Sequence, residues 1–289
     1  MKALITGANG QLGYELQRTA PEGYELFGVD VDQLDITQAE AVNQCFEQYQ
    51  PDLLINAAAY TAVDRGEQDS ETAYAVNAGG AGLLAQACAD SNIPMVQVST
   101  DFVFDGKQST PYQPDDQPAP LSVYGASMQE GDEQVTRILA ERSTIIRTAW
   151  VYSAQGNNFV KTMLRLMQEK EQLGIVADQI GTPTWAKTLA EACWKASEAL
   201  INGNSGDIYH WTDAGVASWY DFAVAIQEEA VSLGLLDKSI SIKPIPTTAY
   251  PTPATRPAFS VLNKETAYDA LGMPPQHWRG CLREMLKEL

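Results

Sequence analysis

An α/β fold built on a doubly wound parallel sheet is predicted by three features of the chain. Apolar strands and helical stretches alternate through about residue 150 of the 289 residues. A glycine-rich turn joins the first strand to the first helix, and small or hydroxyl-bearing residues follow the third and fourth strands. Such alternation requires parallel strands with helical crossovers, and sheets of this kind bind ligands beyond the carboxyl ends of their strands.

The predicted sheet strands are short apolar runs separated by helical stretches. They cover residues 2–6, 25–29, 52–56, 94–98 and 143–147. Beyond residue 150 the pattern is less regular, with helices predicted at about 157–170, 185–201, 218–233 and 276–288. We therefore predict a dinucleotide-binding domain at 1–150. The remainder, 151–289, is predicted to be a smaller, mixed α/β substrate-binding region, with some segments returning to the first sheet.

Five prolines between residues 244 and 257 mark a distinct segment: Pro244, Pro246, Pro251, Pro253 and Pro257. Proline lacks a backbone donor and fixes φ, so this segment cannot be a central strand or a helix interior. Apolar and aromatic residues flank it on both sides. We predict an ordered loop, with a disordered linker as the alternative.

The first strand, Lys2-Ala-Leu-Ile-Thr6, leads directly into a glycine triad formed by Gly7, Gly10 and Gly13. The first glycine permits a tight turn and the second lets the backbone approach a pyrophosphate. The third permits close packing of the following helix, whose N-terminal amides face the anion. This order of strand, glycine turn and helix predicts a Rossmann fold that binds a dinucleotide.

The second strand ends at Asp30, which is 23 residues after Gly7. An acid at this place accepts hydrogen bonds from the adenosine ribose hydroxyls. No arginine adjoins Asp30, and its charge disfavours a 2′-phosphate. The cofactor is therefore predicted to be NADH or NADPH, with a mild preference for NADH. The alternative is a glycine turn in an ordinary α/β protein with an unremarkable surface aspartate.

Composition excludes several classes of partner. The chain carries 37 acids and 19 bases, for a net charge of −18, so nucleic acid and anionic membranes are predicted not to bind. No apolar run approaches the roughly 20 residues that span a bilayer. Four cysteines form no Cys-x-x-Cys pair, and the chain opens directly into its first strand without a signal peptide. A cytoplasmic location is predicted.

The carboxyl ends of the third and fourth strands carry further candidates. Asn56-Ala-Ala-Ala59-Tyr60-Thr61 follows one strand and Ser99-Thr100-Asp101 follows the next. Both segments are expected to face the cofactor. The alternative is structural, because hydroxyls also cap turns and alanines also permit close helix packing.

Several longer motifs identify a family. They are Gly-x-x-Gly-Gln-Leu-Gly-x-Glu-Leu, Asn56-Ala-Ala-Ala-Tyr-Thr-Ala-Val-Asp64, Ser99-Thr-Asp-Phe-Val-Phe-Asp-Gly106, Pro120-Leu-Ser-Val-Tyr-Gly125, Arg147-Thr-Ala-Trp-Val-Tyr152, Gly156-Asn-Asn-Phe159 and Pro251-Thr-Pro-Ala-Thr-Arg-Pro257. Along nearly its whole length the chain resembles the dTDP-4-dehydrorhamnose reductases, which are extended short-chain dehydrogenases.

The resemblance implies reduction of the C4 ketone of dTDP-4-dehydro-L-rhamnose by a nicotinamide cofactor. By matched position, Tyr124 donates the proton and Thr100 hydrogen-bonds in the same site. The dTDP-sugar is expected to contact Thr100, Asp101, Trp150, Asn158 and Arg256. The cofactor is expected to be lined by Gly10, Gln11, Leu12, Asp30, Asp35, Ile36, Ala59, Tyr60 and Thr61.

One catalytic position departs from the family pattern. Tyr124-x-x-x-Met128 stands where short-chain dehydrogenases have Tyr-x-x-x-Lys, and a thioether carries no charge and donates no hydrogen bond. Losing the lysine is worth one to three pKa units, which is about 1.4–4 kcal/mol or roughly tenfold to a thousandfold in rate. An impaired reductase is predicted. The alternatives are a noncatalytic cofactor-binding subunit, resembling the regulatory beta subunit of methionine adenosyltransferase, and a reductase of another nucleotide-linked ketosugar.

Metal chemistry is not predicted. His210 and His277 are the only histidines, and neither sits in a ligand pattern. Some members of the resembled family form metal-bridged dimers through surface carboxylates, and Glu15 lies in the matching first helix. Lys187 stands where the second helix is expected to contribute an acid, so no metal bridge is predicted. The oligomeric state is left open, a homodimer included.

Overall fold

A six-stranded parallel sheet forms the centre of the fold in the computed structural model, which describes residues 1–289. The chain contains twelve strands in all: β1 (Lys2–Thr6), β2 (Glu25–Val29), β3 (Leu53–Asn56), β4 (Met95–Thr100), β5 (Ser143–Thr148), β6 (Val151–Tyr152), β7 (Gln172–Val176), β8 (Ile180–Gly181), β9 (Thr184–Trp185), β10 (Ile208–His210), β11 (Ala217–Ser218) and β12 (Ser241–Ile245). The central sheet has the order β10-β5-β4-β3-β1-β2, and every neighbouring pair in it is parallel. The remaining strands form three two-stranded sheets.

Eleven α-helices surround or extend this sheet. They are α1 (Gln11–Arg18), α2 (Ala39–Tyr49), α3 (Val63–Gly66), α4 (Ser70–Tyr74), α5 (Ala81–Asp90), α6 (Val123–Leu139), α7 (Phe159–Glu169), α8 (Ala186–Ile201), α9 (Trp219–Ser232), α10 (Glu265–Leu271) and α11 (Trp278–Leu286). A π-helical turn, Ala75–Gly80, joins α4 to α5. No helix has both the length and the apolar composition needed to cross a membrane.

Helices cover both faces of the central sheet, which is why the middle of its strands is largely apolar. Leu4, on β1, packs against residues of α2 and α5 on one face. Ala3 and Ile5 point to the other face and pack with residues of α1 and α8. The predicted doubly wound parallel sheet is confirmed by this two-sided packing.

The later part of the chain builds a second core around Phe222 on α9. Residues of α7, α9 and α11 surround that ring, together with Tyr152 and Trp185 from the short strands. Helix α9 begins with a capping box, in which Ser218 and Asp221 each accept a hydrogen bond from the other's backbone N–H. The second region therefore has a hydrophobic core of its own, separate from the two that cover the central sheet.

The five predicted strands are present within two residues of their predicted bounds. A sixth strand, β10, was not predicted, because three residues are too few to show a periodicity. Helix α8 also returns to the central sheet, where the Trp194 indole N–H donates to the Leu16 carbonyl of α1 at 3.0 Å. Strand β10 and helix α8 thus pack on the central sheet, while the division of the chain into two domains at residue 150 stays a prediction.

The proline-rich segment is ordered but is not a loop throughout. Pro244 lies in β12, which pairs with β7 in a two-stranded parallel sheet. Both strands of a two-stranded sheet are edge strands, so the missing N–H of a proline can face away from the partner. From Pro246 to Pro257 the chain has no strand and only one 3-10 turn, Thr247–Ala249. The exclusion of a central strand and of a helix interior agrees with this arrangement.

Candidate active site

The glycine turn after β1 has the geometry predicted from its sequence. Gly7 adopts a φ of +68°, and a Cβ there would lie 2.7 Å from the Ala57 carbonyl oxygen. A Cβ on Gly13 would lie 2.2 Å from the Gly7 carbonyl oxygen, so α1 packs directly on the turn. Gly10 caps α1 without a side chain, which leaves the first N–H groups of the helix free for an anion.

Asp30 and Asp35 form the acidic end of the site. The Asp30 carboxylate accepts hydrogen bonds from the backbone N–H groups of Asn9 and Val31, each at 2.8 Å, and so ties the glycine turn to the end of β2. Asp35 accepts from the Thr37 hydroxyl and N–H at 2.7 and 3.0 Å. The Thr37 hydroxyl and then its N–H lower the pKa of Asp35, so this acid is charged at neutral pH.

The loop after β3 is held against α6 by Asn77, a residue that the sequence analysis did not single out. Asn77 lies in the π-helical turn, accepts from the Tyr60 N–H at 2.7 Å and donates to the Ser127 hydroxyl at 3.0 Å. Ser127 in turn donates to the Tyr124 carbonyl. A π-turn in a helix is frequent at functional sites because it re-aims side chains. Here it links two of the predicted site segments.

One cavity of about 630 Å³ crosses the carboxyl ends of the central strands. Half of its 24 lining residues were predicted as site residues: Gly7, Gly10, Gln11, Leu12, Asp30, Asp35, Ile36, Ala59, Tyr60, Thr61, Tyr124 and Met128. Ala57, Ala58 and Ser99 belong to the strand-end segments that were also expected to face the cofactor. The remaining nine were not predicted: Thr6, Asn9, Val31, Leu34, Val76, Val98, Thr148, Val151 and Leu189. Most of these nine lie at or near the end of a strand, whereas Val76 lies in the π-helical turn and Leu189 lies in α8. No lysine, arginine or histidine lines the cavity.

Tyr124 lies in the first turn of α6, at the end of the cavity away from Asp30. Ser122 caps this helix by accepting from the Gly125 N–H at 3.1 Å. Burial raises the pKa of the Tyr124 phenol to about 12, the Thr100 hydroxyl acts in the opposite direction, and the Asp101 carboxylate adds to the rise. Tyr124 is therefore a phenol, ready to donate a proton, throughout the neutral range.

Met128 follows Tyr124 by one helical turn and lines the same cavity with only 3% of its surface exposed. The next position on this helix face is Asp132, which is buried and accepts from the Ser99 hydroxyl at 2.7 Å. Arg147 pairs with the same carboxylate at 3.5 Å. Burial raises the pKa of Asp132 to about 6, with Arg147 opposing the rise. Arg147 is thus engaged by Asp132, and no cation lines the cavity in place of the lysine expected at position 128.

Thr100 and Asp101, predicted to contact the substrate, lie just beyond the end of β4. The Thr100 hydroxyl accepts from the Phe102 N–H at 3.2 Å and donates to one Asp101 carboxylate oxygen at 3.1 Å. Asp101 is buried, and that burial raises its pKa to about 6. Neither residue lines the main cavity, although Thr100 is close enough to lower the Tyr124 pKa. The turn-capping role of Thr100 exists alongside any role in catalysis.

Trp150 and Asn158 lie between the sheet and the second region. The Trp150 indole stacks on Trp219 with ring centroids 3.6 Å apart, and its backbone has a positive φ of 49°. Asn158 caps α7 and donates to the Gln11 side chain at 2.9 Å. Asn158 therefore ties the glycine turn to the second region, while Trp219 is an aromatic neighbour that the sequence analysis missed.

Arg256 is fixed by a carboxylate. Its guanidinium donates to both oxygens of Asp64, at 3.0 and 2.8 Å, and to the Thr252 hydroxyl at 2.6 Å. The Arg256 hydrogen bond lowers the pKa of Asp64. Asp64 follows Thr61 of the cavity lining by three residues, so the ion pair holds the proline-rich loop beside the site. A substrate role for Arg256 requires it to act while paired or to exchange partners.

The residues considered for a metal bridge are arranged differently from the expectation. Glu15 is buried, accepts from Ser153 at 2.9 Å and pairs with Arg18. Lys187 lies over the Trp185 ring. The same helix also carries Glu191, whose pKa is raised by burial and affected by Lys187, Glu15 and Arg18. Only a base, Lys187, was expected on α8 near Glu15, and that expectation left out the acid Glu191. The absence of a metal bridge stays a prediction.

The fold and the cavity together define a class of protein, the extended short-chain dehydrogenases. Comparison with known proteins identifies the family. A family model described as "RmlD substrate binding domain" matches residues 1–289. The chain is 42% identical over 288 residues to the dTDP-4-dehydrorhamnose reductase of Aggregatibacter actinomycetemcomitans, with 98% of each chain covered. It is 43% identical over 288 residues to the spore coat polysaccharide biosynthesis protein SpsK of Bacillus subtilis (strain 168), covering 99% and 97% of the two chains.

A solved structure agrees with these relatives. The dTDP-4-dehydrorhamnose reductase of Bacillus anthracis, in complex with NADP, matches this chain with a TM-score of 0.91 at 35% identity, covering 100% of this chain and 99% of the other. The chain belongs to the dTDP-4-dehydrorhamnose reductase family. The resemblance predicted from its motifs is confirmed.

Proposed function

We propose that this protein reduces the C4 ketone of dTDP-4-dehydro-L-rhamnose to dTDP-L-rhamnose with NADH or NADPH, and so supplies a sugar donor for polysaccharide synthesis. The observation that carries the proposal is the position of Tyr124. Its phenol shares one cavity with the free N-terminal amides of α1 and with Asp30. A proton donor and a dinucleotide cradle thus meet at the same edge of the sheet.

The residues present fit a dinucleotide. The turn at Gly7 and the uncapped N-terminus of α1 suit a pyrophosphate, and Asp30 suits a ribose diol. The lining contains two carboxylates and no cation, so we propose NADH over NADPH, whose 2′-phosphate would meet Asp30 without a compensating base. When bound, the cofactor supplies the hydride.

The chain's own residues then provide the proton and the orientation. Tyr124 holds the proton for the ketone oxygen. Thr100, whose hydroxyl donates to Asp101 in this structure, turns that proton to the same carbonyl when the substrate is bound and so polarises it. Val98, Met128 and Val151 supply apolar wall that keeps water away from the reacting atoms. We propose that Asp101, Trp150, Asn158 and Arg256 hold the nucleotide sugar, as their places in the family motifs imply.

The experiment is substrate-dependent oxidation of NADH and of NADPH by the wild-type protein and by Tyr124→Phe. The phenylalanine variant keeps the ring and removes only the hydroxyl, so it is a matched control for the proton donor. Turnover in the wild type that falls at least a hundredfold in Tyr124→Phe supports the proposal. Turnover that is equal in both contradicts the role of Tyr124.

One observation favours a second candidate, a noncatalytic cofactor-binding subunit. Met128 is buried in the cavity wall, and no cation in the lining replaces the missing lysine. Wild-type protein that binds NADH but turns over neither this substrate nor related nucleotide-linked ketosugars would favour that candidate. Turnover of only a related ketosugar would instead change the substrate.

The four cysteines bear on the compartment. All four are free thiols and all are buried. Thiols without disulfides fit a reducing compartment, so we propose that the reaction takes place in the cytoplasm. Oxidation of the purified protein with a mild disulfide-forming reagent is expected to leave its melting temperature unchanged.

A further inference from the structure

One polar atom in the cavity wall has no hydrogen-bond partner. The Thr148 hydroxyl is buried and makes no hydrogen bond with any protein group, and it is the one such side-chain atom among the residues that line the cavity. A buried hydroxyl without a partner costs free energy, so native structures rarely keep one that nothing satisfies. Thr148 itself lines the cavity, so a ligand there can become the partner once the side chain rotates its hydroxyl toward it.

The location of Thr148 in the sheet indicates which part of a bound dinucleotide lies near its side chain. Thr148 ends β5, whereas Asp30 follows β2, and four strand spacings separate these two strands in the sheet order. At about 4.8 Å per spacing, the two residues lie at opposite ends of a site roughly 19 Å long. The adenosine half belongs at Asp30. The nicotinamide riboside therefore belongs at the end that holds Tyr124, Met128 and Thr148.

Few hydrogen-bond donors are free at that end of the cavity. The Ser99 hydroxyl already donates to Asp132 at 2.7 Å. Met128 has no donor, and Val98, Val151 and Leu189 are apolar. The Tyr124 phenol is required for the substrate ketone. The Thr148 hydroxyl remains, able both to donate and to accept.

From this arrangement we infer that Thr148 is a cofactor-binding residue, whose hydroxyl hydrogen-bonds the polar groups of the nicotinamide riboside. These groups are the ribose hydroxyls and the ring carboxamide. Met128 offers neither a charge nor a hydrogen-bond donor to the cofactor. The cofactor is therefore held at this end of the site by neutral hydrogen bonds, and Thr148 supplies one of them. The inference rests on the cofactor site of the proposed function, but it does not require turnover.

The test is binding of NADH, ADP-ribose and ADP, measured by titration calorimetry on the full chain. Thr148→Val keeps the side-chain shape and removes the hydroxyl, and Thr148→Ser retains the hydroxyl. Thr144→Val, on the same strand but outside the cavity, is the matched control. NADH binding is expected to weaken about threefold to tenfold in Thr148→Val, to remain near wild type in Thr148→Ser and Thr144→Val, and ADP binding is expected to be unchanged.

Stability gives an independent readout. Removing an unpartnered buried hydroxyl is expected to leave the melting temperature of the free protein unchanged or higher, while NADH affinity falls. A merely structural role would lower both. Weakened ADP-ribose binding in Thr148→Val assigns the contact to the ribose, and unchanged ADP-ribose binding assigns it to the carboxamide; either result supports the inference.

Three outcomes would overturn the inference. Equal NADH affinity in wild type and Thr148→Val would show that Thr148 does not bind the cofactor, and it would leave the proposed function intact. Equal weakening of NADH and ADP shows a general disturbance of the site. Failure of the wild-type protein to bind NADH defeats both the inference and the cofactor part of the proposed function.

Discussion

Replacing Met128 by lysine places a charge at the position where the Tyr-x-x-x-Lys motif is expected to have one. Position 128 lies four residues after Tyr124 and four before Asp132, so each neighbour is about 6 Å away along the helix axis. The wild-type Tyr124 has a pKa of about 12, raised mainly by burial, and no cation lines its cavity. Met128→Lys is therefore expected to lower that pKa and to accelerate reduction.

The magnitude follows from the separation of the charges. An ammonium about 5 Å from a developing phenolate is worth about 3 kcal/mol at an effective dielectric constant of about 20. Asp132 attracts the same ammonium from the other side, which reduces the effect. We expect a net gain of about 1.5–3 kcal/mol, which is roughly tenfold to 150-fold in kcat/KM.

The assay combines a pH–rate profile with an optical titration of tyrosinate. Reduction needs the protonated phenol, so activity is lost as the pH rises through the Tyr124 pKa. The wild-type protein is expected to show no such limb below about pH 10, because its pKa is about 12. In Met128→Lys the limb is expected to move down by one to two pH units.

Met128→Leu is the matched control, because leucine has nearly the same volume and no charge. Its kcat/KM is expected to stay within about twofold of wild type. Acceleration by leucine equal to that by lysine would refute the electrostatic explanation. A lysine variant whose tyrosine pKa falls without any gain in kcat/KM would show that proton transfer does not limit the reaction, and a melting curve for each variant separates these results from misfolding.

Three further outcomes are expected. Gly13→Ala should lower the free energy of unfolding by about 1–3 kcal/mol, because its Cβ would lie 2.2 Å from the Gly7 carbonyl oxygen. Gly280→Ala, in α11, should raise it by up to about 1 kcal/mol, because the structure leaves open space around that Cβ. Urea unfolding of the two variants and the wild type measures both effects. Asp30→Asn should raise the ratio of NADPH to NADH affinity about tenfold by removing a like charge. An unchanged ratio would contradict this, and a wild-type preference for NADPH would contradict the proposed choice of NADH. Glu229→Gln should lower the free energy of unfolding by about 1–2 kcal/mol at pH 7, because two arginines of α11 hydrogen-bond that carboxylate and lower its pKa. The stabilisation by Glu229 is full above the ordinary glutamate pKa of about 4.3 and is lost as the pH falls through the lower pKa of the folded state. Unfolding of both proteins at pH 7 and at pH 4 tests the sign.

Much of the site was accessible from local sequence. Gly7 was predicted because a tight turn into a helix needs a positive φ, and the structure gives it +68°. Asp30 was predicted because it ends a strand at the spacing that places an acid near a ribose, and it does line the cavity. These features depend on a few neighbouring residues. Where a strand is followed by a helix, the local sequence also determines where the strand ends.

The sequence by itself determined the alternation of strands and helices, the glycine turn, the family motifs and the absence of a lysine after Tyr124. Only the tertiary structure decided that β10 completes the sheet and that Arg256 pairs with Asp64, 192 residues away in the chain. Only the tertiary structure shows that Ser99 is engaged by Asp132 while Thr148 has no partner. Backbone periodicity and turn chemistry are local, whereas the partner of a buried polar group is set by whichever distant segments pack against it.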